Sequence, residues 1–471
     1  MHVRMEKDSL GMKKVPEEAY YGVQTVRALE NFPITEIPVH KELILALAEV
    51  KKAAAIANMH TGMLSETIGS AIVKAAEEVI EGKFLDQFVV DSIQGGAGTS
   101  INMNMNEVLA NRVLEMLGRK KGDYDICSPN THVNMSQSTN DTIPTALKIA
   151  AFRMAEELIT IMNSLKMELM HKENEFQDIL KMGRTHLQDA VPIRLGQEFG
   201  AYSEVVGRDI RRITEAAKEM LTVNMGATAV GTGLNAKPEY IEKVAAQLSA
   251  QVGVQLHLAK NLVDGTQNTD GYTTLSSALK VSAINMSKIC NDIRLMASGP
   301  RTGFQEINLP AKQPGSSIMP GKVNPVMIEV VNQVAFQVAG NDQSVCMASE
   351  AGQFELNVMG PVIIFNLLQS LKIMKNGLDV FTRYAVSGME ANVQRCREYV
   401  EESYGIITAL NPHLGYETAA KVVKQARETG LTIKEICKAH QLLSEKELEI
   451  ILDPREMTTP GIAGNQFLVT T

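Results

Sequence analysis

The sequence has no run of about 18 apolar residues, so no membrane-spanning helix is expected. Basic residues (46) are outnumbered by acidic ones (54), for a formal net charge of −8. With no basic excess to release counterions, nucleic acid is not expected as a main partner. An anionic ligand would then need a locally positive site, because the global field does not attract it. Cysteine is scarce: Cys127, Cys290, Cys346, Cys396 and Cys437 stand singly, odd in number and without a C-x-x-C. Free thiols in a reducing cytoplasm are the simplest reading. The first residues, MHVRMEKDSLGMKKVPEEAYYG, carry no apolar core of the signal-peptide kind. The nine histidines include no pair four apart and no H-E-x-x-H, so no metal site is expected.

What is present is helical periodicity. The length of 471 residues is a prior for about three domains. Residues 1–35 read as irregular, and helices are predicted from about His40 to Ala57 and from Ser65 to Glu81. Between Thr145 and Lys172 there is no Gly or Pro. There Leu147, Ala151, Met154, Leu158, Ile161, Leu165 and Leu169 recur at steps of three and four, the signature of one helix face. Ile149, Ala155, Ile159 and Met162 add a second apolar face, as in helices buried between several partners. Comparable segments run over Gly196–Leu221, Tyr272–Ala297, Met327–Ala348 and Val362–Phe381. Helices of ~25 residues reach nearly 40 Å, and several joined by loops imply an antiparallel bundle. Strand-like alternation is scarce, and shorter helices are predicted at 415–429, 432–440 and 444–451. The expected class is all-α with a central bundle of long helices. Met, present 25 times, fills irregular helix packing, and doubly apolar helices favour oligomerisation.

Four polar stretches interrupt this pattern: QGGAGTSINMNMNE (94–107), SPNTHVNMSQSTND (128–141), MGRTHLQDAVP (182–192) and PGSSIMPGKVNP (314–325). They exceed the usual 2–8-residue bundle connection, and long polar loops on a rigid frame commonly carry function. The last is not a phosphate loop. That motif separates its glycines by four residues and follows Lys with Ser or Thr, whereas five residues separate Gly315 from Gly321 and Val323 follows Lys322. Ser136, Ser138, Thr139, Asn140 and Asp141 exceed what one helix cap requires, and a helix start also suits an anion. Asn102, Asn104 and Asn106 read as buried structural amides, and His132 as structural. No acid pair of the glycosidase type and no G-x-S-x-G elbow occurs. Hydroxyls, amides, His186 and Lys322 in a Gly/Pro frame suit a small dianion under a mobile loop.

GSSIMPGKVNP at 315–325 resembles the signature of the aspartase/fumarase superfamily, and the resemblance extends over roughly residues 3–464. Within it, GGAGTSINMNMNEVLAN (95–111) and LVDGTQNTDGY (262–272) resemble the aspartase branch rather than the class II fumarases. GATAVGTGLNA (226–236) and GKVNPVM (321–327) lean the same way. Ile328, where proline is expected, and Gly360, where aspartases often carry glutamate, depart from the pattern. The resemblance implies three domains (1–139, 140–394 and 395–471) and a homotetramer whose active sites each draw on three subunits. It implies reversible deamination of L-aspartate to fumarate and ammonia, without a cofactor. Fumarate–malate interconversion is the neighbouring alternative, and a non-catalytic helical protein the remote one. The resemblance places the general base at Ser316 and the β-carboxylate on Thr99, Ser138, Thr139 and Ser317. It places the α-carboxylate on Thr185, Lys322 and Asn324, and the amino group near Asn140 and His186.

Overall fold

The computed structural model describes residues 2–468. Helices dominate it, and among the described residues strands occur only as four two-stranded pairs. The chain forms two compact units. The first comprises the residues up to Thr160, Asp209–Ile284 and Val334–Asn376; the second comprises Ile161–Arg208, Asn285–Gln333 and the chain from Gly377. No helix of the described residues is long and apolar enough to cross a membrane.

The first unit opens with a hairpin of β1 (Val3–Asp8) and β2 (Gly11–Pro16), followed by α1 (Val23–Asn31). The irregular reading of residues 1–35 is corrected here. Apolar alternation does not mark this hairpin, because polar contacts hold it. Arg4 donates to Glu6 at 2.7 Å and to the carbonyls of Pro16, Ala19 and Tyr21. Next come α2 (Lys41–His60) and α3 (Glu66–Ile80), which pack on each other as their periodicity implies. Ser65 caps α3, its hydroxyl accepting from Ile68 N.

The stretch 94–107 is a loop only as far as Gly98. From Thr99 it is helix α4 (Thr99–Met116), which the expectation of a polar loop missed. Its polar residues face inward. Asn102, Asn104 and Asn106 are buried amides, as expected, and Asn104 serves a neighbouring loop by accepting from Val89 N and donating to Gln87 O. Glu107 is the stronger anchor. Its buried carboxylate accepts from Gly22 N (2.8 Å), Gln24 N (2.8 Å), Thr25 N (3.1 Å) and the Thr25 hydroxyl (2.7 Å), fixing the start of α1. Glu107→Ala strands several buried donors, at about 1–3 kcal/mol each. An apparent loss of ~3 kcal/mol or more is expected, read as a lowered urea midpoint.

The longest helix, α5 (Thr139–Glu175), starts before Pro144 rather than after it. Proline lacks the N–H that would bond the carbonyl four residues back. Here that carbonyl, Asn140 O, accepts from Asn224 Nδ2 at 3.0 Å, so the helix continues through the proline. Of the predicted face, Leu147, Ala151, Met154, Leu158, Leu165 and Leu169 are buried and Ile161 is half-buried; of the second face, Ile149, Ala155 and Met162 are buried and Ile159 is half-buried. Strands β3 (Leu180–Thr185) and β4 (Gln188–Arg194) then form a hairpin where a loop was expected. Then come α6 (Leu195–Ala217), the short parallel pair β5 (Thr222–Val223) and β6 (His257–Leu258), α7 (Pro238–Val252) and α8 (Leu262–Gln267). The remaining long helices are α9 (Asp270–Met296), α10 (Val326–Glu350) and α11 (Gly360–Phe381). Strand β7 (Ile307–Asn308) pairs with β8 (Glu390–Ala391), ahead of α12 (Val393–Glu402). In the second unit, the C-terminal helices Tyr416–Thr429, Ile433–Ala439 and Glu445–Ile451 close on Leu410, Val422, Ile436, Cys437 and Leu448. All five cysteines are free thiols.

The long helices keep apolar residues outside. Met167, Ile284, Phe336 and Met347 are each more than half exposed. In α9, Leu275 and Ile289 are buried, whereas Val281, Ile284 and Leu295 are exposed.

Candidate active site

In the first unit, three of the motif stretches converge on the start of α5. Ser138 takes the cap position. Its hydroxyl accepts from Asn140 N at 3.2 Å, and its own N–H donates to Asp141 Oδ1 at 2.9 Å, a reciprocal cap. The other oxygen of Asp141 accepts from Gly226 N and Thr228 N, both at 3.1 Å. That pins GATAVGTGLNA onto the helix start, with Gly226 and Thr228 held at positive φ. Asn140 Nδ2 donates to Ala229 O at 2.7 Å, so the same segment is gripped twice. Thr139 accepts from Asn102 Nδ2 at 3.3 Å. Thr99 is exposed at the first position of α4, its hydroxyl donating to Gly96 O at 2.7 Å. Thr139 and Asn140 line a cleft with Asn268, Thr269 and Tyr272, which belong to the LVDGTQNTDGY stretch. Gly360 lines the same cleft, and a Cβ there would meet only Ala97 O, at 3.9 Å.

A buried cation supports this loop. Lys51 of α2 is fully buried and donates to Asn134 Oδ1 (3.1 Å) and Gln137 Oε1 (2.9 Å). Asn134 Oδ1 also accepts from Asn102 and Asn106, each at 3.1 Å. Burial pushes the Lys51 ammonium down to about 7 and the Asp141 carboxyl up to about 6; their mutual attraction opposes both shifts. Lys51, Asn134 and Asp141 thus fix the loop that presents Ser138, Thr139 and Asn140. Sequence reasoning missed Lys51, which reads there as one more residue of an amphipathic helix. His132 is structural as expected: its Nδ1 accepts from Ser128 N at 2.9 Å, within a π-helical turn at Pro129–Val133. Burial lowers its pKa.

The other six candidates lie in the second unit. Thr185 ends β3 and His186 follows at the exposed hairpin tip. The signature stretch is an exposed loop closed on itself. Gly315 N donates to Lys322 O at 2.7 Å, and Asn324 Nδ2 donates to Gly315 O at 2.7 Å. A Cβ at residue 315 would sit 2.7 Å from Lys322 O and 2.8 Å from Asn324 N, so this neck requires glycine. Within the loop Ser316 Oγ accepts from Ile318 N at 3.2 Å and Met319 N at 3.0 Å. Donors aimed at an oxygen favour its ionised form. Ser317 and Lys322 are exposed, and Lys322 pairs with no carboxylate among the described residues. The loop feeds α10 directly. Ile328 N donates to Pro325 O at 2.9 Å, a bond that the proline expected at 328 would forfeit.

The first unit thus presents hydroxyls and an amide, and the second presents hydroxyls, an amide, one imidazole and one ammonium. Among the described residues no group of three or more His, Cys, Asp or Glu side chains is placed to hold a metal ion. Residues 11–340 match the family profile described as "Lyase", and residues 406–459 that described as "Fumarase C C-terminus". The chain belongs to the aspartase/fumarase superfamily of lyases. Within the superfamily it is 61% identical over 465 residues to the aspartate ammonia-lyase of Bacillus subtilis (strain 168), across 99% of this chain and 98% of that one. A fumarate lyase:delta crystallin structure from Brucella melitensis, bound to cobalt, superposes with a TM-score of 0.94 at 47% identity, covering 98% of this chain and all of that one. The class II fumarase of Schistosoma mansoni superposes with a TM-score of 0.93 but only 34% identity, over the same shares. The fold is thus common to both branches of the superfamily, while sequence identity to the aspartate ammonia-lyase is much higher than to the fumarase.

Proposed function

We propose that this chain is an aspartate ammonia-lyase that interconverts L-aspartate with fumarate and ammonia. The 61% identity to an aspartate ammonia-lyase over nearly the whole chain carries the choice of substrate, and Ser316, whose Oγ receives two backbone N–H groups in an exposed loop, supports the choice of base. A serine alkoxide held there removes a proton from Cβ. The electron pair moves into the β-carboxylate, giving an enediolate held by Thr99, Ser138, Thr139 and Ser317. Preorganised donors are the main lever for such charge. The enediolate then collapses to the carbon–carbon double bond, the Cα–N bond breaks, and its electron pair leaves with ammonia. Lys322, Asn324 and Thr185 hold the α-carboxylate, and Asn140 and His186 face the amino group. Asn140 and Asn324 each spend one amide N–H on the backbone, at Ala229 O and Gly315 O, and keep their remaining groups for substrate.

The same proposal includes a homotetramer of three-domain chains, bounded at 139/140 and 394/395, with each active site assembled from three subunits in the cytoplasm. The exposed apolar residues of α5, α9 and α10 support association, since faces of that kind are covered in a stable assembly. Five unpaired cysteines agree with a reducing compartment. The substrate assay is direct. The protein, mixed separately with aspartate and with malate, is followed by the ultraviolet absorbance of fumarate. Fumarate is expected from aspartate. Its formation from malate alone would reassign the chain to the hydratase branch.

A further inference from the structure

The β3–β4 hairpin holds its tip in an unusual conformation. Thr185 pairs with Gln188, so His186 and Leu187 are the central residues of a two-residue turn. Both have positive φ, 55° and 57°. That is the type I′ pattern, which ordinarily uses Asn-Gly. Neither residue here is Gly, Asn or Asp, and in left-handed backbone the Cβ of each crowds the following carbonyl oxygen, so both positions are strained. Strain of this kind persists only where the surroundings over-determine it.

The surroundings are an ion cluster directly below the tip. The pairing register shifts between Met182 and Arg184: Gly183 stands opposite Ala190 and Val191, a bulge whose extra residue lies on β4. A Cβ at 183 would lie 2.7 Å from Val191 O, so the bulge admits only glycine. Bulges re-aim the neighbouring side chain. Arg184 Nη1 donates to Glu306 Oε1 at 2.7 Å, and its guanidinium lies 4.3 Å from the Phe304 ring centre and 5.2 Å from that of Tyr399. Glu306 is wholly buried, and its Oε2 lies 2.9 Å from Lys181 Nζ. The Glu306 backbone is fixed as well: its N–H donates to Met296 O, and its carbonyl accepts from Asn392 N, both at 2.9 Å. Two cations of one strand, three residues apart, therefore converge on one immobile carboxylate, and the residue after the second cation is Thr185.

We infer that Glu306 is a positioning residue. Through Arg184 it holds the strained Thr185–His186 tip in the orientation that meets the substrate's α-carboxylate and amino group. The substrate half of this statement rests on the ammonia-lyase reading; the mechanical half does not.

The test uses the full-length protein and the variants Glu306→Gln, Arg184→Met and Arg184→Lys. Hydrogen exchange reads the mechanical half without any substrate. Amides at 185–188 are expected to exchange at least about tenfold faster in Glu306→Gln and Arg184→Met, while those of α2, in the first unit, stay unchanged. Unchanged exchange at the tip overturns the inference. Should Glu306→Gln not fold, Arg184→Met carries the same test, because Arg184 sits at the edge of the cluster. Kinetics reads the substrate half. KM for aspartate is expected to rise about tenfold in Arg184→Met with kcat within about threefold, and Arg184→Lys is expected to restore it. A lowered thermal midpoint with unchanged KM makes the cluster merely structural and overturns the inference. A wild-type protein that forms no fumarate from aspartate overturns the functional reading instead, and tip exchange still decides the inference.

Discussion

Ser316→Ala is expected to lower kcat for aspartate by roughly 10³-fold, within the span that positioned proton transfer contributes. The fold gives the substitution little else to disturb. The Ser316 hydroxyl accepts from Ile318 N and Met319 N in an exposed loop, so water can take over both donors. The neck of the loop, between Gly315, Lys322 and Asn324, does not involve the serine side chain. Gel-filtration volume and thermal midpoint are therefore expected to stay at their wild-type values. The decisive measurement is initial rate at saturating aspartate. Turnover within a few-fold of wild type would remove Ser316 from the role of base and leave the two N–H groups as an ordinary turn.

Lys322→Ala is expected to act on a different constant. Its carbonyl serves the loop neck, but its ammonium stands exposed without a carboxylate partner among the described residues. An exposed, unpaired lysine adds little to folding, so stability should hold. A hydrogen bond to a charged group is worth about 1.5–3 kcal/mol, which corresponds to roughly 10–100-fold in affinity. KM for aspartate is expected to rise by that factor, with a smaller change in kcat, because the α-carboxylate is charged in both ground and transition states. An unchanged KM would sink the carboxylate assignment. Arginine is not expected to substitute fully, since its planar fork differs from a compact ammonium.

These two residues were legible because the signature motif is local: 11 consecutive residues, 315–325, carry it. The long helices were legible for a related reason. Steps of three and four such as Leu147, Ala151, Met154 and Leu158 report burial directly. Where polar contacts determine structure, the pattern was silent. Helix α4 hid behind its inward-facing asparagines, and the β1–β2 hairpin behind Arg4 and its carbonyl partners. Pro144 obscured the true start of α5, because the compensating amide, Asn224, lies 80 residues further on. Lys51 and Glu306 were invisible for the same reason. A charged residue reads as solvent-facing until the distant partners that bury it are known.

The closed neck of the signature loop has a thermodynamic consequence. Fixing a residue's backbone costs about 1–2 kcal/mol in conformational entropy. A floppy loop would meet that cost along its whole length each time it folded over a ligand. Here Gly315, Lys322 and Asn324 have already tied the span together, and Ser316 has already ordered Ile318 and Met319. A span tied in this way can close over a ligand as a unit, turning about its two flanking segments. Only those hinges gain or lose freedom, so more of the substrate's binding energy is left for the chemical step.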